Sequence, residues 1–176
     1  GTSQGRPSLD PRAVLQRVFE VDGEARILSI REPRATRLLL ISLEHGLTRL
    51  HVVEERPEQP PHPTPFTMQM RKWFEGADLQ SVELLNHDRI VRFELEVSDP
   101  EFEKADGDER PGRVGVVFVA ELFGRNPNLF ILDEEQQILG MLHDDVLGDR
   151  DLAPKTQYEL PPPPPDPSVG DDVRWN

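Results

Sequence analysis

The pattern of apolar and polar side chains along this chain predicts mostly β-strands, in which side chains alternate between two faces with a period of two residues. The clearest case is the segment RIVRFELEV at residues 89–97, in which Val91, Phe93 and Leu95 alternate with arginine and glutamate. This pattern predicts a strand with one face buried and the other in water. Seven further segments are predicted as strands, at residues 25–32, 37–44, 48–55, 79–85, 114–122, 128–134 and 137–142.

Two segments show helical spacing instead. In the first, Asp10 suits the N-cap of a helix and Pro11 suits its first position. The apolar stripe that follows is formed by Val14, Leu15, Val18 and Phe19. A second helix is predicted over residues 66–75, and Gly76 ends it. Between the strand predicted at residues 48–55 and this helix, residues 56–65 hold five prolines in ten positions, which predicts an irregular segment.

The order of these elements indicates the fold class. Eight short strands with short connections favour a mostly antiparallel arrangement, and two helices would cover its open ends. Strands do not alternate with helices, so a parallel doubly wound sheet is not expected. The prediction is therefore an α+β, mostly β, fold: an antiparallel β-sandwich with flanking helices.

The length of 176 residues predicts a single domain. The chain opens Gly-Thr-Ser-Gln without a methionine, which suggests an excised piece, and residues 1–7 are expected to be disordered or derived from a tag. Residues 8–160 are assigned to the folded domain. Residues 161–176 begin with five prolines and are interpreted as a proline-rich acidic tail or linker, with a ligand for an SH3-type domain as the alternative.

Composition narrows the function further. The chain has no cysteine, which excludes a disulfide framework, and no apolar run approaches the roughly 20 residues of a membrane span. No signal peptide is visible, so a cytoplasmic protein without a membrane partner is expected. Net charge is −13, and residues 1–98 carry 13 basic against 15 acidic side chains, whereas residues 99–176 carry 7 against 18. Any contact with nucleic acid is therefore expected to be local and in the first half.

Sequence signals for catalysis are poor. The chain contains no phosphate-binding loop, no G-x-S-x-G motif and no histidine pair at metal-binding spacing. The run His143-Asp144-Asp145 could recruit a divalent cation, but a solvated acidic turn is the favoured interpretation. We therefore expect no enzymatic activity, no cofactor and no metal.

The arginines are more suggestive, because a guanidinium group can donate two hydrogen bonds at once to phosphate or to base edges. One group, across the hairpin predicted at residues 25–44, is formed by Arg26, Arg31, Arg34 and Arg37. A second, on the polar face of the second helix, is formed by Arg71 and Lys72. A third, in the strand predicted at residues 89–97, is formed by Arg89 and Arg92. The alternative is that these are ordinary surface charges and ion pairs.

The pair Asp88-Arg89 lies where the strand of residues 89–97 begins. Neighbouring side chains of an extended chain point to opposite faces, so this acid and this base cannot easily pair with each other. Each is free to bind a ligand or to face water. Asp10 has a simpler explanation, because a helix cap of this kind is typically worth about 1 kcal/mol.

Taken in order, several segments resemble the N-terminal domain of the NFACT family, which includes bacterial fibronectin-binding protein A homologues, also called RqcH, and eukaryotic ribosome quality-control relatives. The resemblance covers residues 8–165. It is carried by ARILSIREP, TRLHVV, PTPFTMQMRKWFEGADL, HDRIVRFEL, LFGRNPNLFILDEEQQILG and YELPPPP. The combination of the P-x-x-F…RK-x-x-EG helix with DRIV is its most specific part.

The resemblance implies a fold similar to the N-terminal domain of formamidopyrimidine-DNA glycosylases, without their Pro-Glu nucleophile. It also implies binding of tRNA on large ribosomal subunits obstructed by a peptidyl-tRNA, and support of untemplated tailing of the stalled chain. The Asp-Arg pair that this family uses to hold tRNA matches Asp88 and Arg89. A second family acid matches Asp10, although Pro11 replaces the glycine expected after it. The RNA-binding residues expected are Asp88, Arg89, Asp10, Arg71, Lys72 and Arg125.

Two other functions stay open at this point. The family's adhesin name, the acidic second half and the proline-rich tail favour a protein-binding module, with fibronectin as its partner. Analogy of fold alone suggests a glycosylase-like enzyme, but fold does not fix function.

Overall fold

Nine β-strands and one α-helix make up the part of the chain that the computed structural model describes, which is residues 13–45, 48–56, 58–86, 89–99, 112–123, 126–144, 150 and 152–161. The first half holds β1 (Val14–Asp22), β2 (Ala25–Arg31), β3 (Thr36–Ser42) and β4 (Arg49–Val53). The helix α1 (Pro65–Phe74) follows. The second half holds β5 (Ala77–Leu85), β6 (Ile90–Asp99), β7 (Gly112–Glu121), β8 (Asn128–Leu132) and β9 (Ile138–Met141). The eight predicted strands and the second predicted helix are confirmed.

The first predicted helix is wrong, because residues 14–22 form β1. A β-bulge between Leu15 and Arg17 shifts the alternation of side chains, so that Leu15 and Val18 both face the main core. Phe19 belongs to a separate cluster on the opposite face. The bulge and burial on both faces together reproduce the spacing of three and four residues that indicates a helix. Asp10 and Pro11 lie outside the described residues.

All strand pairs are antiparallel, and the order is β4-β3-β2-β1-β5-β6-β7-β8-β9. Within each half, strands that follow one another in sequence are neighbours in the sheet. The halves are joined by a short pairing of β1 with β5, in which Val14 lies opposite Asp78 and Leu15 opposite Ala77. The predicted mostly β, antiparallel class is confirmed, and the relation to formamidopyrimidine-DNA glycosylases stays a prediction.

The two halves enclose one core. Leu28 and Ile41 from the first half, Met70 from α1, and Phe93 and Phe118 from the second half belong to the same buried cluster. Away from the β1–β5 pairing, turns of the two halves meet again. The hydroxyl of Thr48 donates to the carbonyl of Leu122 at 3.1 Å, and Nε2 of His143 lies 2.9 Å from a carboxylate oxygen of Glu24. These contacts connect the two halves at places other than the β1–β5 pairing.

Helix α1 packs Phe66, Met70 and Phe74 into this core. Pro65 occupies its first turn, where a missing N–H costs nothing. The chain leaves the helix through Gly76, whose positive φ of 87° suits glycine and whose N–H donates to the carbonyl of Leu15. In the described part of the chain, no helix is long and apolar enough to cross a membrane.

Arg150 and residues 152–161 form a segment that we call the C-terminal strap. It runs along the edge of β9, where the N–H of Ile138 donates to the carbonyl of Thr156 and the N–H of Lys155 donates to the carbonyl of Ile138. Tyr158 packs against Phe130, with ring centroids 5.0 Å apart. The strap thus covers one edge and part of the outer face of the second half.

Candidate functional site

The turn between β5 and β6 fixes the position of Arg89. The N–H of Arg89 is close to the carbonyls of Leu85 and Asn86, at 3.2 and 3.3 Å, which closes a tight turn. Asn86 adopts a positive φ of 49°, a conformation that asparagine tolerates better than most residues. The side chain of Arg89 is exposed. The backbone is therefore fixed while the guanidinium group stays accessible to a ligand.

The neighbouring strand end supplies a platform for this side chain. The N–H of Leu122 donates to the carbonyl of Arg89 at 2.8 Å, and Ile90 pairs with Glu121 in the sheet. The guanidinium carbon of Arg89 lies 6.0 Å from the ring centroid of Phe123, at the outer limit of a cation–π contact. A guanidinium group over an aromatic ring offers charge and two flat surfaces for stacking at one place.

A buried network of polar side chains lies close to Arg89, because Glu121 pairs in the sheet with Ile90, the residue after Arg89. Glu121 is 1% exposed, and its carboxylate accepts two hydrogen bonds from Arg150, at 2.7 and 2.8 Å. The hydroxyl of Tyr158 donates to the same carboxylate at 2.6 Å. Burial raises the pKa of Tyr158, and the neighbouring charge of Glu121 raises it further, so this hydroxyl keeps its proton. Hydrogen bonds to Glu121 in turn raise the pKa of Arg150.

The strap also contacts the turn itself. The side-chain amide of Asn86 donates to the carbonyl of Pro161 at 3.1 Å, and Pro161 is buried. Asn86 is thus held in place both by its own turn and by the end of the strap. The turn that presents Arg89 is therefore connected by a hydrogen bond to the end of the C-terminal strap.

The structure does not bring all predicted site residues together. Asp10, Asp88 and Arg125 lie outside the described residues, so their roles stay predictions. Arg71 donates to the carbonyl of Val18 at 3.1 Å and to the side chain of Gln59 at 2.9 Å, which ties it to β1. Lys72 is exposed, and its ammonium group lies 5.2 Å from the ring centroid of Trp73.

Several other residues of the predicted basic groups and of the candidate metal-binding run have structural partners. Arg26 is fully buried and contacts Thr64, Thr67 and the carbonyl of Gly23. Arg37 pairs with Glu32, and Arg92 pairs with Glu94. His143 contacts Glu24, while its backbone N–H and carbonyl bond to the side chain of Asn128. Among the residues that the structure describes, no group of three or more His, Asp or Glu side chains could hold a metal ion.

Four residues of this site were missed by the sequence reasoning: Asn86, Glu121, Phe123 and Arg150. A signal existed for Glu121, because it continues the alternation of Val117 and Val119 on a buried face, where a carboxylate needs a partner. Arg150 and Phe123 carry no comparable local signal. Their places follow only from pairings between distant parts of the chain.

Solved structures show the same fold. The N-terminal part of the fibronectin/fibrinogen-binding protein from Streptococcus suis superposes with a TM-score of 0.74 at 24% identity, over 86% of this chain and 55% of that chain. The N-terminal domain of the fibronectin-binding protein PavA from Streptococcus pneumoniae gives 0.75 at 23% identity, over 92% and 62%. At these identities, the likeness shows the fold alone.

Curated relatives carry a different name. The archaeal Rqc2 homolog aRqcH of Methanocaldococcus jannaschii is 31% identical over 154 residues, which is 84% of this chain and 20% of that protein. The Rqc2 homolog RqcH of Streptococcus suis is 25% identical over 152 residues, or 26% of that protein. The chain therefore spans between a fifth and about a quarter of these relatives. Residues 12–175 match the family described as NFACT N-terminal and middle domains, and the chain belongs to the NFACT family.

Proposed function

We propose that this domain is the RNA-binding module of a ribosome-associated quality-control factor. In this proposal it binds tRNA on stalled large ribosomal subunits and supports C-terminal tailing of the nascent chain, in the cytoplasm. Family membership and the Rqc2 homologs among the curated relatives support the proposal. Ribosome binding and tailing are proposed for the whole protein, because this chain spans only part of the length of those relatives.

The observation that carries the proposal is the presentation of Arg89. Its guanidinium group is exposed at a closed turn and lies over the ring of Phe123. Proteins recognise unpaired RNA by stacking bases on aromatic rings and guanidinium planes, and by hydrogen bonds to base edges and phosphates. Arg89 and Phe123 together supply these groups on an ordered scaffold, which keeps their geometry fixed.

The proposed roles divide between donors and acceptors. Arg89 donates to phosphate or base groups, and Asp88 accepts from base or ribose groups. Arg125, which follows Phe123 by two residues, adds a further positive charge. Because the net charge of the chain is −13, we expect phosphate contacts only where arginines are grouped, and the slope of log affinity against log salt measures their number.

The test is a fluorescence titration of tRNA with the parent chain, with Arg89→Ala and with Arg113→Ala, at low and near-physiological salt. Arg113 is a matched control, because it is an exposed arginine whose guanidinium group is already paired with Asp78 and Glu96. Loss of one specific RNA contact should cost about 1–3 kcal/mol, so Arg89→Ala should weaken binding by roughly 5- to 150-fold. Arg113→Ala should bind tRNA like the parent.

Equal affinity of Arg89→Ala and the parent would contradict the proposed site. Absence of tRNA binding by the parent at low salt would contradict the proposed function of this domain, and the search would then move to the whole protein on ribosomal subunits. Thermal unfolding of each variant checks that a lost affinity does not reflect a lost fold.

A second candidate function is protein binding. It is favoured by the solved neighbours, which are named as fibronectin-binding and fibronectin/fibrinogen-binding proteins. Binding of this chain to immobilised fibronectin at physiological salt, unaffected by Arg89→Ala, would support it. No binding under those conditions would remove it.

A further inference from the structure

A second surface, separate from Arg89, has the chemistry of a ligand site. A groove of about 790 Å³ lies on the outer face of the β1–β4 half. Its apolar lining comes from Phe19, Leu38 and Val53, which belong to the outer-face cluster of this half. The polar residues that line it are Gln16, Arg17, Ser29, Thr36, Glu54, Glu55 and Arg56.

Arginines without carboxylate partners lie in this groove and next to it. Within the described part of the chain, the exposed guanidinium groups of Arg17, Arg31 and Arg34 make no ion pair and no hydrogen bond. Arg31 pairs in the sheet with Thr36, which places it beside the groove. The guanidinium carbon of Arg56 lies 5.6 Å from the ring centroid of Phe19.

This grouping is unusual in a chain with 33 acidic and 20 basic side chains. Several other arginines of the described structure form ion pairs, as Arg92 does with Glu94 and Arg150 with Glu121. In the lining of the groove, Arg17 and Arg56 balance the charges of Glu54 and Glu55. Arg31 at the end of β2 and Arg34 in the β2–β3 turn add two positive charges next to the groove. The result is a local positive potential on an acidic molecule, and such a patch attracts an anionic ligand.

We propose that this groove binds the phosphate backbone of RNA and forms a second contact for tRNA. The identity of this ligand rests on the proposed function. Guanidinium groups match phosphate with paired hydrogen bonds. The ring of Phe19 under Arg56, with the hydroxyls of Ser29 and Thr36 nearby, suits bases and riboses. An acidic peptide would use the charges but not the aromatic surface, so RNA is the ligand that uses all of these groups.

The groove and Arg89 lie at opposite ends of the first-half strands. The groove is near the β2–β3 turn, whereas Thr48, beyond the other end of β3, contacts Leu122 next to Arg89. The seven residues of β3 span about 20 Å, so one ligand that touches both sites must be at least that long. A folded RNA meets this requirement, and two separated contacts would fix its orientation. Arg71 bonds to Val18, between two groove residues, so this predicted RNA-binding residue lies beside the groove.

The experiment measures tRNA affinity against salt concentration for the parent chain, the double variants R17Q/R56Q and R31Q/R34Q, and the control Arg113→Gln. The slope of log affinity against log salt should fall by roughly one for each arginine that contacts a phosphate. Affinity at low salt should fall on the order of tenfold for each double variant. Arg113→Gln should keep the slope of the parent. Thermal unfolding should stay close to that of the parent, because all replaced side chains are exposed and exposed ion pairs such as that of Arg113 with Glu96 contribute little to stability.

The outcomes separate the two proposals. A parent-like affinity and slope for both double variants would overturn the groove proposal, even if Arg89→Ala still lost binding. Loss of binding in the double variants but not in Arg89→Ala would support the groove and contradict the Arg89 site. Displacement of bound tRNA by polyglutamate but not by short single-stranded RNA would also overturn RNA as the ligand of the groove.

Discussion

The hydroxyl of Tyr158 lies 2.6 Å from Oε2 of Glu121, and this same oxygen also accepts a hydrogen bond from Arg150. Tyr158→Phe removes a hydrogen bond to a buried charged group and leaves the ring packing against Phe130 intact. We expect the free energy of unfolding to fall by about 1.5–3 kcal/mol. Urea denaturation measures the change. In the Glu121→Gln background the effect of Tyr158→Phe should be smaller, and equal effects in both backgrounds would contradict a direct coupling.

Asn86 should show separable contributions from its backbone and from its side chain. Asn86→Gly keeps the positive φ without strain but loses the hydrogen bond to Pro161, which should cost about 1 kcal/mol. Asn86→Ala loses the same hydrogen bond and also forces alanine into a left-handed conformation, at roughly 1–2 kcal/mol more. Chemical denaturation of both variants measures the difference, and equal stability of the two would show that the turn relaxes.

Glu20 should make the stability depend on acid pH. Burial by itself raises the pKa of Glu20, but hydrogen bonds from Thr67 and Thr64, together with the charge of Arg26, outweigh burial and lower it below the ordinary value of 4.5. A lowered pKa in the folded state stabilises the protein above the unfolded pKa, and this contribution is lost as pH falls through the folded value. The gap in unfolding free energy between the parent and Glu20→Gln should therefore narrow as pH drops below 4.5. A gap that stays constant on acidification would contradict this account.

Gly76 and Gly23 form a matched pair for testing backbone strain. Neither would bring an added Cβ within 4 Å of another atom, but Gly76 has a φ of +87° and Gly23 does not lie in that region. Gly76→Ala should cost about 1–2 kcal/mol, because alanine pays for the left-handed conformation. Gly23→Ala should be neutral, or stabilising by up to about 1 kcal/mol, because it restricts the unfolded chain. Thermal or urea unfolding of the two variants tests the contrast, and equal losses would contradict it.

The sequence predicted strands β2 to β9. Strand β6 shows the alternation that half-buried strands require, whereas β2 and β8 are short segments buried along nearly their whole length. The prediction was wrong at β1, where a bulge between Leu15 and Arg17, together with burial on both faces, produces the apolar spacing of a helix. A bulge depends on pairing with another strand, here β2, so local spacing cannot reveal it. The two-residue pairing of β1 with β5 is likewise a long-range feature that no local pattern contains.

The positions of some candidate site residues could be predicted from the sequence, and those of others could not. The exposed Arg89 at a strand start could be found from the sequence, since an acid and a base side by side in an extended chain cannot satisfy each other. The burial of Arg26 could not be found from the sequence, because its partners Thr64 and Thr67 are about 40 residues away. Its position on the same strand face as Leu28 and Ile30 was the only local signal. Arg71 was predicted as a ligand-binding residue from its exposed helix face, but its hydrogen bonds hold it against β1. In each case the deciding contact is distant in sequence.

The order of strands in the sheet has a consequence for the rate of folding. Within each half, neighbouring strands are consecutive in sequence, so each meander can form through local hairpins, which close quickly. The pairing of Leu15 with Ala77 joins residues about 60 positions apart, and that loop must close before the pairing gains anything. We therefore expect two fast-forming meanders and a slower docking step around α1. Substitutions at the Phe74–Phe118 contact, which joins α1 to the second meander and forms in this slow step, should then lower the rate of folding.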